Sequence, residues 1–256
     1  MAQWQFWVDR GGTFTDLVAC TPEGDLRTHK LLSESPVQYK DAAVQGIRDL
    51  LGLGAEEDIP PGLIHSVKMG TTVATNALLE RKGEPTVLVT TAGLEDLLRI
   101  GYQNRPRLFD LHIRLPELLY QQVIGADDRL DAKGTVLTPL DQKGLRAEMQ
   151  AAYDAGLRSV AIAFLHAYRF PAHEVIAGAI ARDIGFSQVS LSHVASPLIK
   201  LVGRGDTTVV DAYLSPVLRR YVGQVRDALG SAISAQARLM FMQSNGGLAD
   251  ADFFEG

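Results

Sequence analysis

A single cysteine, Cys20, stands in a chain of 256 residues, so no internal disulfide framework is available and the protein suits a reducing compartment, the cytoplasm. Its place at the end of an apolar run reads as packing. No stretch of about 18 uncharged apolar residues occurs, and no basic segment leads into an apolar run at the amino terminus, so neither membrane spanning nor secretion is supported. Positive charge is not in excess. With 25 Lys and Arg against 30 Asp and Glu, the formal charge of −5 offers no attraction to nucleic acid or anionic lipid. The one basic cluster, Arg219, Arg220 and Arg226, reads as a solvated helix face. Also missing are a His-Glu-x-x-His zinc pattern, a Walker loop and a Gly-x-Ser-x-Gly elbow. The 6 histidines are scattered and read as structural or exposed. Hydrophobic residues are not scarce: at 46% they suffice for a full α/β core.

What is present begins with Asp9-Arg10-Gly11-Gly12-Thr13-Phe14-Thr15-Asp16, set between two β-type runs, Trp4 to Val8 and Phe14 to Cys20. Glycine accepts positive φ and lets another group come close to the backbone, so Gly11 and Gly12 can turn amides toward an anion, with Thr13 and Thr15 adding hydroxyls. Asp9 and Asp16 would repel a bare phosphate. Their placement makes sense if hydrated magnesium lies between, with Asp9 holding the ion through water and Asp16 supporting the loop. A Gly-Gly hairpin is also common in structural sheets, where the threonines are β formers and the aspartates solvated strand ends.

Strand and helix patterns then alternate. Leu26 to Leu32 is a third strand, giving an antiparallel meander, and Ala43, Val44, Ile47, Leu50 and Leu51 share one face of a helix over Tyr39 to Leu51. A strand at Ile64 to Met69 leads into a helix over Val73 to Arg81, and Thr86 to Thr91 is a buried strand. Residues 99–138 are rich in Pro and Gly and read as an inserted loop, Asn104 to Tyr120, then a hairpin around Asp131 to Gly134. Helices follow at Asp141 to Ala155, His173 to Asp183 and Thr207 to Leu229. Strands are expected at Ser159 to Phe164, Val189 to Leu191 and Arg238 to Met242. This order suits an α/β fold, a mixed sheet flanked by helices, and excludes an all-β sandwich. Ligands gather beyond strand ends in such sheets, so the Gly11-Gly12 turn and the Gly70-Thr71-Thr72 turn are expected to face one cleft. Thr71 and Thr72 open a helix whose free amides favour an anion, and Asn76 projects from the same end. The plainer alternative makes Thr71 or Thr72 an N-cap and Asn76 a surface amide.

The first octet resembles the first phosphate loop, Asp-x-Gly-Gly-Thr-x-Thr-Asp, of ATPases with the actin-like, ribonuclease-H-like fold. Met69-Gly70-Thr71-Thr72-Val73-Ala74-Thr75-Asn76-Ala77-Leu78-Leu79-Glu80-Arg81-Lys82-Gly83 is similar to a segment of the hydantoinase A/5-oxoprolinase family. So are Gly203-Arg204-Gly205-Asp206-Thr207-Thr208-Val209-Val210-Asp211-Ala212-Tyr213-Leu214-Ser215-Pro216 and Met242-Gln243-Ser244-Asn245-Gly246-Gly247-Leu248. Arg10 and Asp211 tilt the resemblance toward 5-oxoprolinases, since hydantoinase relatives tend to carry a small residue and Asn there. Read plainly, Asp206 is a helix cap, Asp211 a solvated carboxylate and Asn245-Gly246 a turn.

The resemblance implies an actin-like first lobe over residues 1–202 and the start of a hydantoinase A region over 203–256, with a second phosphate loop outside the sequence. It further implies an amino-terminal fragment, weak in nucleotide binding and inactive alone. The intact protein would use ATP and Mg2+ to open 5-oxo-L-proline to L-glutamate, completed by the remaining carboxy-terminal part or a partner subunit, as a homo-oligomer. In that scheme Asp9, Gly11, Gly12, Thr13, Thr15 and Asp16 serve the nucleotide, and Thr71, Thr72 and Asn76 the substrate. No residue is assigned as catalytic base. The alternatives are a hydantoinase or carboxylase subunit and, in another class, a non-catalytic actin-like scaffold.

Overall fold

The computed structural model describes residues 3–54, 57–103, 107, 109–113, 115–233, 237–243 and 245–254. The chain runs β1 (Trp4–Arg10), β2 (Phe14–Cys20), β3 (Leu26–Leu32), α1 (Ala42–Leu51), β4 (Ile64–Thr71) and α2 (Val73–Leu79). There follow β5 (Thr86–Thr91), α3 (Leu97–Ile100), β6 (Tyr120–Ala126), β7 (Arg129–Leu130), β8 (Val136–Thr138), α4 (Gln142–Asp154) and β9 (Ser159–Ala163). The remainder is α5 (Ala172–Ile184), β10 (Gln188–Leu191), α6 (Ser192–Ala195), α7 (Leu201–Leu229), β11 (Arg238–Met242) and β12 (Leu248–Asp250). These elements form two compact units, Met1–Glu80 with Val217–Gly256, and Arg81–Pro216. That spatial division differs from the sequence boundary expected at 202/203, which falls inside α7; the break in space comes at Pro216, the proline within that helix.

The first unit is built on a mixed sheet of order β12-β11-β4-β1-β2-β3, as expected of an actin-like lobe. β1, β2 and β3 form the antiparallel meander, whereas β4 runs parallel to β1 and β11 parallel to β4. Strand alternation sends Phe6, Val8, Leu17, Ala19, Met69 and Phe241 to one face, where they pack with Val44 and Ile47 of α1 and with Val222 and Val225 of α7. Each large apolar side chain buried in this way contributes about 1.5–3 kcal/mol. Asp41 starts α1 by accepting from the Val44 amide at 3.1 Å, one turn after Tyr39, where the sequence pattern alone places the start.

The second unit holds a separate parallel sheet of order β10-β9-β5-β6. Every residue of β5 and β9 is buried, the burial that parallel strands between helices require. α4 and α5 pack with one set of side chains, including Val87, Ile162 and Met149, and the first half of α7 with Leu88, Ala161 and Val209. β6 lies in the region expected to be looped. The described residues between 107 and 119 carry no helix or strand, and Asn104 and Pro106 lie outside the described residues. The expected hairpin is present as β7 and β8, closed by the Gly134 amide on the Asp131 carbonyl at 3.0 Å.

α7 begins six residues before Thr207, so Asp206 is interior to the helix and not its cap. Arg204 is fully buried. Its guanidinium donates to the Ser192 hydroxyl at 2.9 Å and to the carbonyls of Leu198, Ile199, Phe164 and Leu165. Ser192 in turn donates to Glu174, also fully buried, which accepts from the Phe164 amide as well. Burial alone would disfavour the Arg204 cation, and the Glu174 carboxylate counters that loss. Asp211 is likewise bound and not solvated: it accepts from Ser190 and from Ser215, tying α7 to β10. Arg204→Met should lower stability by about 3–5 kcal/mol, because four carbonyls and the Ser192 hydroxyl lose their buried donor and Glu174, which His193 contacts directly at 2.6 Å, loses its second cation. Urea denaturation reads this directly, and a loss below about 1 kcal/mol would contradict the assigned role.

Candidate functional site: the β1–β2 turn

Arg10 ends β1 and Phe14 begins β2, leaving Gly11, Gly12 and Thr13 as the connection. Neither glycine adopts positive φ, contrary to the sequence expectation. Gly11 is required for space instead, since a Cβ there would lie 2.9 Å from the Phe14 carbonyl oxygen, and a Cβ on Gly12 would lie 3.1 Å from Asn76 Nδ2, a tight contact that the amide would have to shift to relieve. The Gly11 amide is spent within the turn, donating to the Phe14 carbonyl at 3.1 Å. The amides of Gly12 and Thr13 donate to no described residue, and both residues are exposed.

Neighbouring elements hold the turn in place. Ser33, buried just beyond β3, donates its amide to the Thr13 carbonyl at 2.9 Å and its hydroxyl to the Gly11 carbonyl at 2.7 Å. Thr15 stands behind Ser33, hydroxyl to hydroxyl at 3.0 Å. Thr15 is therefore not presented to a ligand: alternation puts it on the inner face with Leu17 and Ala19, where it is fully buried and braces Ser33. The donor role expected of it passes to the backbone.

From the other side comes the β4–α2 junction, so the two clusters picked out in the sequence do meet. The Thr72 amide and hydroxyl both donate to the Arg10 carbonyl, at 3.1 and 3.2 Å. Asn76 Nδ2 donates to the Thr72 hydroxyl at 3.3 Å and packs on Gly12. Thr72 occupies the N-cap position without making a side-chain cap, and Thr71 Oγ1 accepts from the Val73 amide at 3.2 Å. The anion-attracting helix end expected here is thus short, with its first amide already engaged. Among these residues, Thr72 positions the turn, and Thr71 and Asn76 line its flank.

The carboxylates separate into two kinds. Asp9 and Asp16 are directly opposed across β1 and β2, on the exposed face, an arrangement that repels. Lys30, opposite Asp16 on β3, holds Asp16 at 2.8 and 3.0 Å. Asp9 has no hydrogen bond or ion pair to a described residue, and its other neighbour in the sheet is Gly70, whose lack of a side chain leaves room beside Oδ1. One carboxylate of the pair is neutralised within the fold and the other is open to a cation. The amides of Gly12 and Thr13 with Asp9 beside them fit a metal-bridged phosphate; a compact group of three or more His, Cys, Asp or Glu side chains able to hold a metal directly is absent among the described residues.

Sequence reasoning missed Ser33 and the side-chain surroundings of Arg10. The meander register, with Leu32 opposite Phe14, is the signal that places residue 33 beside residue 13. Arg10 points to the inner face. Its Cζ lies 4.8 Å from the centroid of the Tyr221 ring and its Nε 3.9 Å from Asp41. Burial pushes the Tyr221 hydroxyl further up from its ordinary range, Asp41 adds to this and Arg10 opposes it. The signature around Asn245 takes its plainer reading: the Gly246 amide donates to Gln243 and the Gln243 amide to Gly247, a turn joining β11 to β12; Ser244 lies outside the described residues.

The chain is 41% identical over 283 residues to the 5-oxoprolinase of Dictyostelium discoideum, covering 98% of this chain and 22% of that protein. The crystal structure of the ATP-dependent caprolactamase from Pseudomonas jessenii superposes with a TM-score of 0.80 at 30% identity, over 96% of this chain and 36% of that one. Nucleotide-free acetone carboxylase gives a TM-score of 0.77 at 22% identity, over 98% of this chain and 37% of that one, a likeness of fold alone. No helix among the described residues is long and apolar enough to cross a membrane. Residues 204–256 match the hydantoinase/oxoprolinase family and residues 5–185 its N-terminal region, so the chain belongs to the hydantoinase/oxoprolinase family.

Proposed function

We propose that this chain is the first nucleotide-binding lobe of an ATP-dependent enzyme that opens the lactam ring of 5-oxo-L-proline to give L-glutamate. The observation that carries the reading is the pair of uncommitted amides at Gly12 and Thr13 beside the unpaired Asp9 carboxylate. Because the chain spans 22% of the 5-oxoprolinase it matches, the rest of the active enzyme comes from a longer chain or a partner subunit, assembled as a homo-oligomer. A cytoplasmic setting is supported by the lone Cys20, free of any disulfide.

Each residue of the turn has a separate task. Gly12 and Thr13 donate their amides, and Thr13 its exposed hydroxyl, to phosphate oxygens; Gly11 keeps the turn closed. Asp9 would hold magnesium and supply charge neutralisation there, while Asp16 is retained by Lys30 and supports the strand pair. Thr15 and Ser33 fix the height of the turn, and Thr72 fixes its lateral position. Thr71 and Asn76 offer polar atoms toward the substrate. Bound ATP supplies the phosphoryl group that makes the lactam oxygen a leaving group and the ring carbon open to water. Phosphoryl transfer of this kind rests on positioning and charge neutralisation, the two properties this turn has. A hydrolase of another cyclic amide is the second reading, favoured by the likeness to caprolactamase.

Full-length protein should hydrolyse ATP when 5-oxo-L-proline is added, with glutamate and ADP formed in equal amounts. Stimulation by caprolactam or a hydantoin instead supports the second reading, and nucleotide binding without turnover of any cyclic amide contradicts both. In the same protein Asp9→Asn should lower kcat/KM for ATP on the order of 100-fold and raise the magnesium concentration needed, with the melting temperature no lower, since the repulsion with Asp16 is relieved. Unchanged magnesium dependence would remove Asp9 from the site.

A further inference from the structure

Arg10 is the one charged residue at this turn whose side chain has no task in the account above. Alternation along β1 places it with Phe6 and Val8, on the face opposite Trp7 and Asp9. Phe6 and Val8 end in the core, whereas Arg10 lies at the strand end, its side chain 19% exposed. Nε is sealed from solvent without a hydrogen-bond partner, and 3.9 Å to Asp41 is beyond hydrogen-bond reach. No described residue accepts from either terminal nitrogen. The Tyr221 hydroxyl, in a residue 6% exposed and beneath the same guanidinium, is also sealed and unpartnered.

Arg48 also has a sealed Nε without a partner, but three other arginines are used differently. Arg204, Arg158 and Arg129 each donate to carbonyls, as structural arginines do. A part-buried guanidinium with unfilled donors is costly to the fold, since its lost hydration is not replaced. Asp41 relieves that cost only in part, because its Oδ2 stays 3.9 Å from Nε, an ion pair without a hydrogen bond. The Tyr221 ring, 4.8 Å from Cζ, limits the movement of the planar head, while its terminal fork has no acceptor among the described residues. Such a fork matches a planar oxyanion with two parallel hydrogen bonds. The metal-bridged phosphate belongs to the opposite face, with Asp9, so the oxyanion suited to Arg10 is a second one.

We propose that Arg10 binds the carboxylate of the substrate and thereby selects cyclic amides that carry an acidic group. The assignment rests on the lactam-hydrolase reading and adds the substrate class. 5-Oxo-L-proline carries such a carboxylate; 2-pyrrolidinone is the same ring without it. Arg10 touches no reacting atom in this scheme. It fixes where the ring lies.

The test uses full-length protein and the variants Arg10→Met and Arg10→Lys. KM is measured for ATP, 5-oxo-L-proline and 2-pyrrolidinone, the dissociation constant of 5-oxo-L-proline by calorimetry, and folding by thermal melting. Arg10→Met should raise KM and the dissociation constant for 5-oxo-L-proline about 10–100-fold, the scale of hydrogen bonds to a charged group. Discrimination against 2-pyrrolidinone should collapse with it, Arg10→Lys should recover part of the loss, and KM for ATP should hold. An unchanged affinity for 5-oxo-L-proline, a rise in KM for ATP in its place, or losses that follow the melting temperature would each overturn the proposal. Wild-type protein that turns over neither lactam contradicts the hydrolase reading and takes this assignment with it. Wild-type turnover with discrimination intact in Arg10→Met overturns the assignment alone.

Discussion

A turn made of two glycines and a threonine has almost no side chain with which to hold its own shape, and everything proposed for this site depends on how that is solved. Ser33 bonds both Gly11 and Thr13, Thr72 bonds the Arg10 carbonyl twice, and Asn76 closes on Gly12. Carbonyls on the turn are thereby engaged while the Gly12 and Thr13 amides stay free. That asymmetry leaves a surface of free donors, the property the proposed phosphate site requires.

Charge follows the same division of labour. Where a charge serves the fold it is fully matched: Arg204 reaches four carbonyls and a hydroxyl, Glu174 takes the hydrogen bonds behind it, and Asp16 is held by Lys30. Asp9 has no such partner among the described residues, and Arg10, next in sequence, has only Asp41 at 3.9 Å and the Tyr221 ring; the pleat sends the two to opposite faces of one strand. A strand end thus offers an open carboxylate on one side and an open cationic fork on the other, with free amides between. A metal-bound phosphate and an acidic substrate call for those groups in that order.

Much of this was legible in the residues. Alternation marked the meander, Gly11-Gly12 marked its turn, and the Thr71 to Asn76 segment was correctly paired with it because strands β1 and β4 end together. Long-range consequences were less visible. Thr15 reads as a ligand donor until the register puts Ser33 behind it, and the glycines read as positive-φ residues until Asn76 arrives beside them. Tyr120 to Ala126 hides its strand because Gln121, Gln122 and Gly125 interrupt the apolar pattern, whereas pairing with β5 is what fixes it. Gly203 and Gly205 similarly mask the start of α7, where the bonds of Arg204 outweigh weak helix propensity. That strands β5, β6, β9 and β10 form their own sheet is a matter of pairing, which local pattern does not carry.

The most direct measurement is a crystal structure of the full-length protein with magnesium and a non-hydrolysable ATP analogue. The account expects phosphate oxygens about 3 Å from the amide nitrogens of Gly12 and Thr13, with a metal-bound water on Asp9. A nucleotide whose phosphates lie elsewhere, with those two amides still facing solvent, would contradict it.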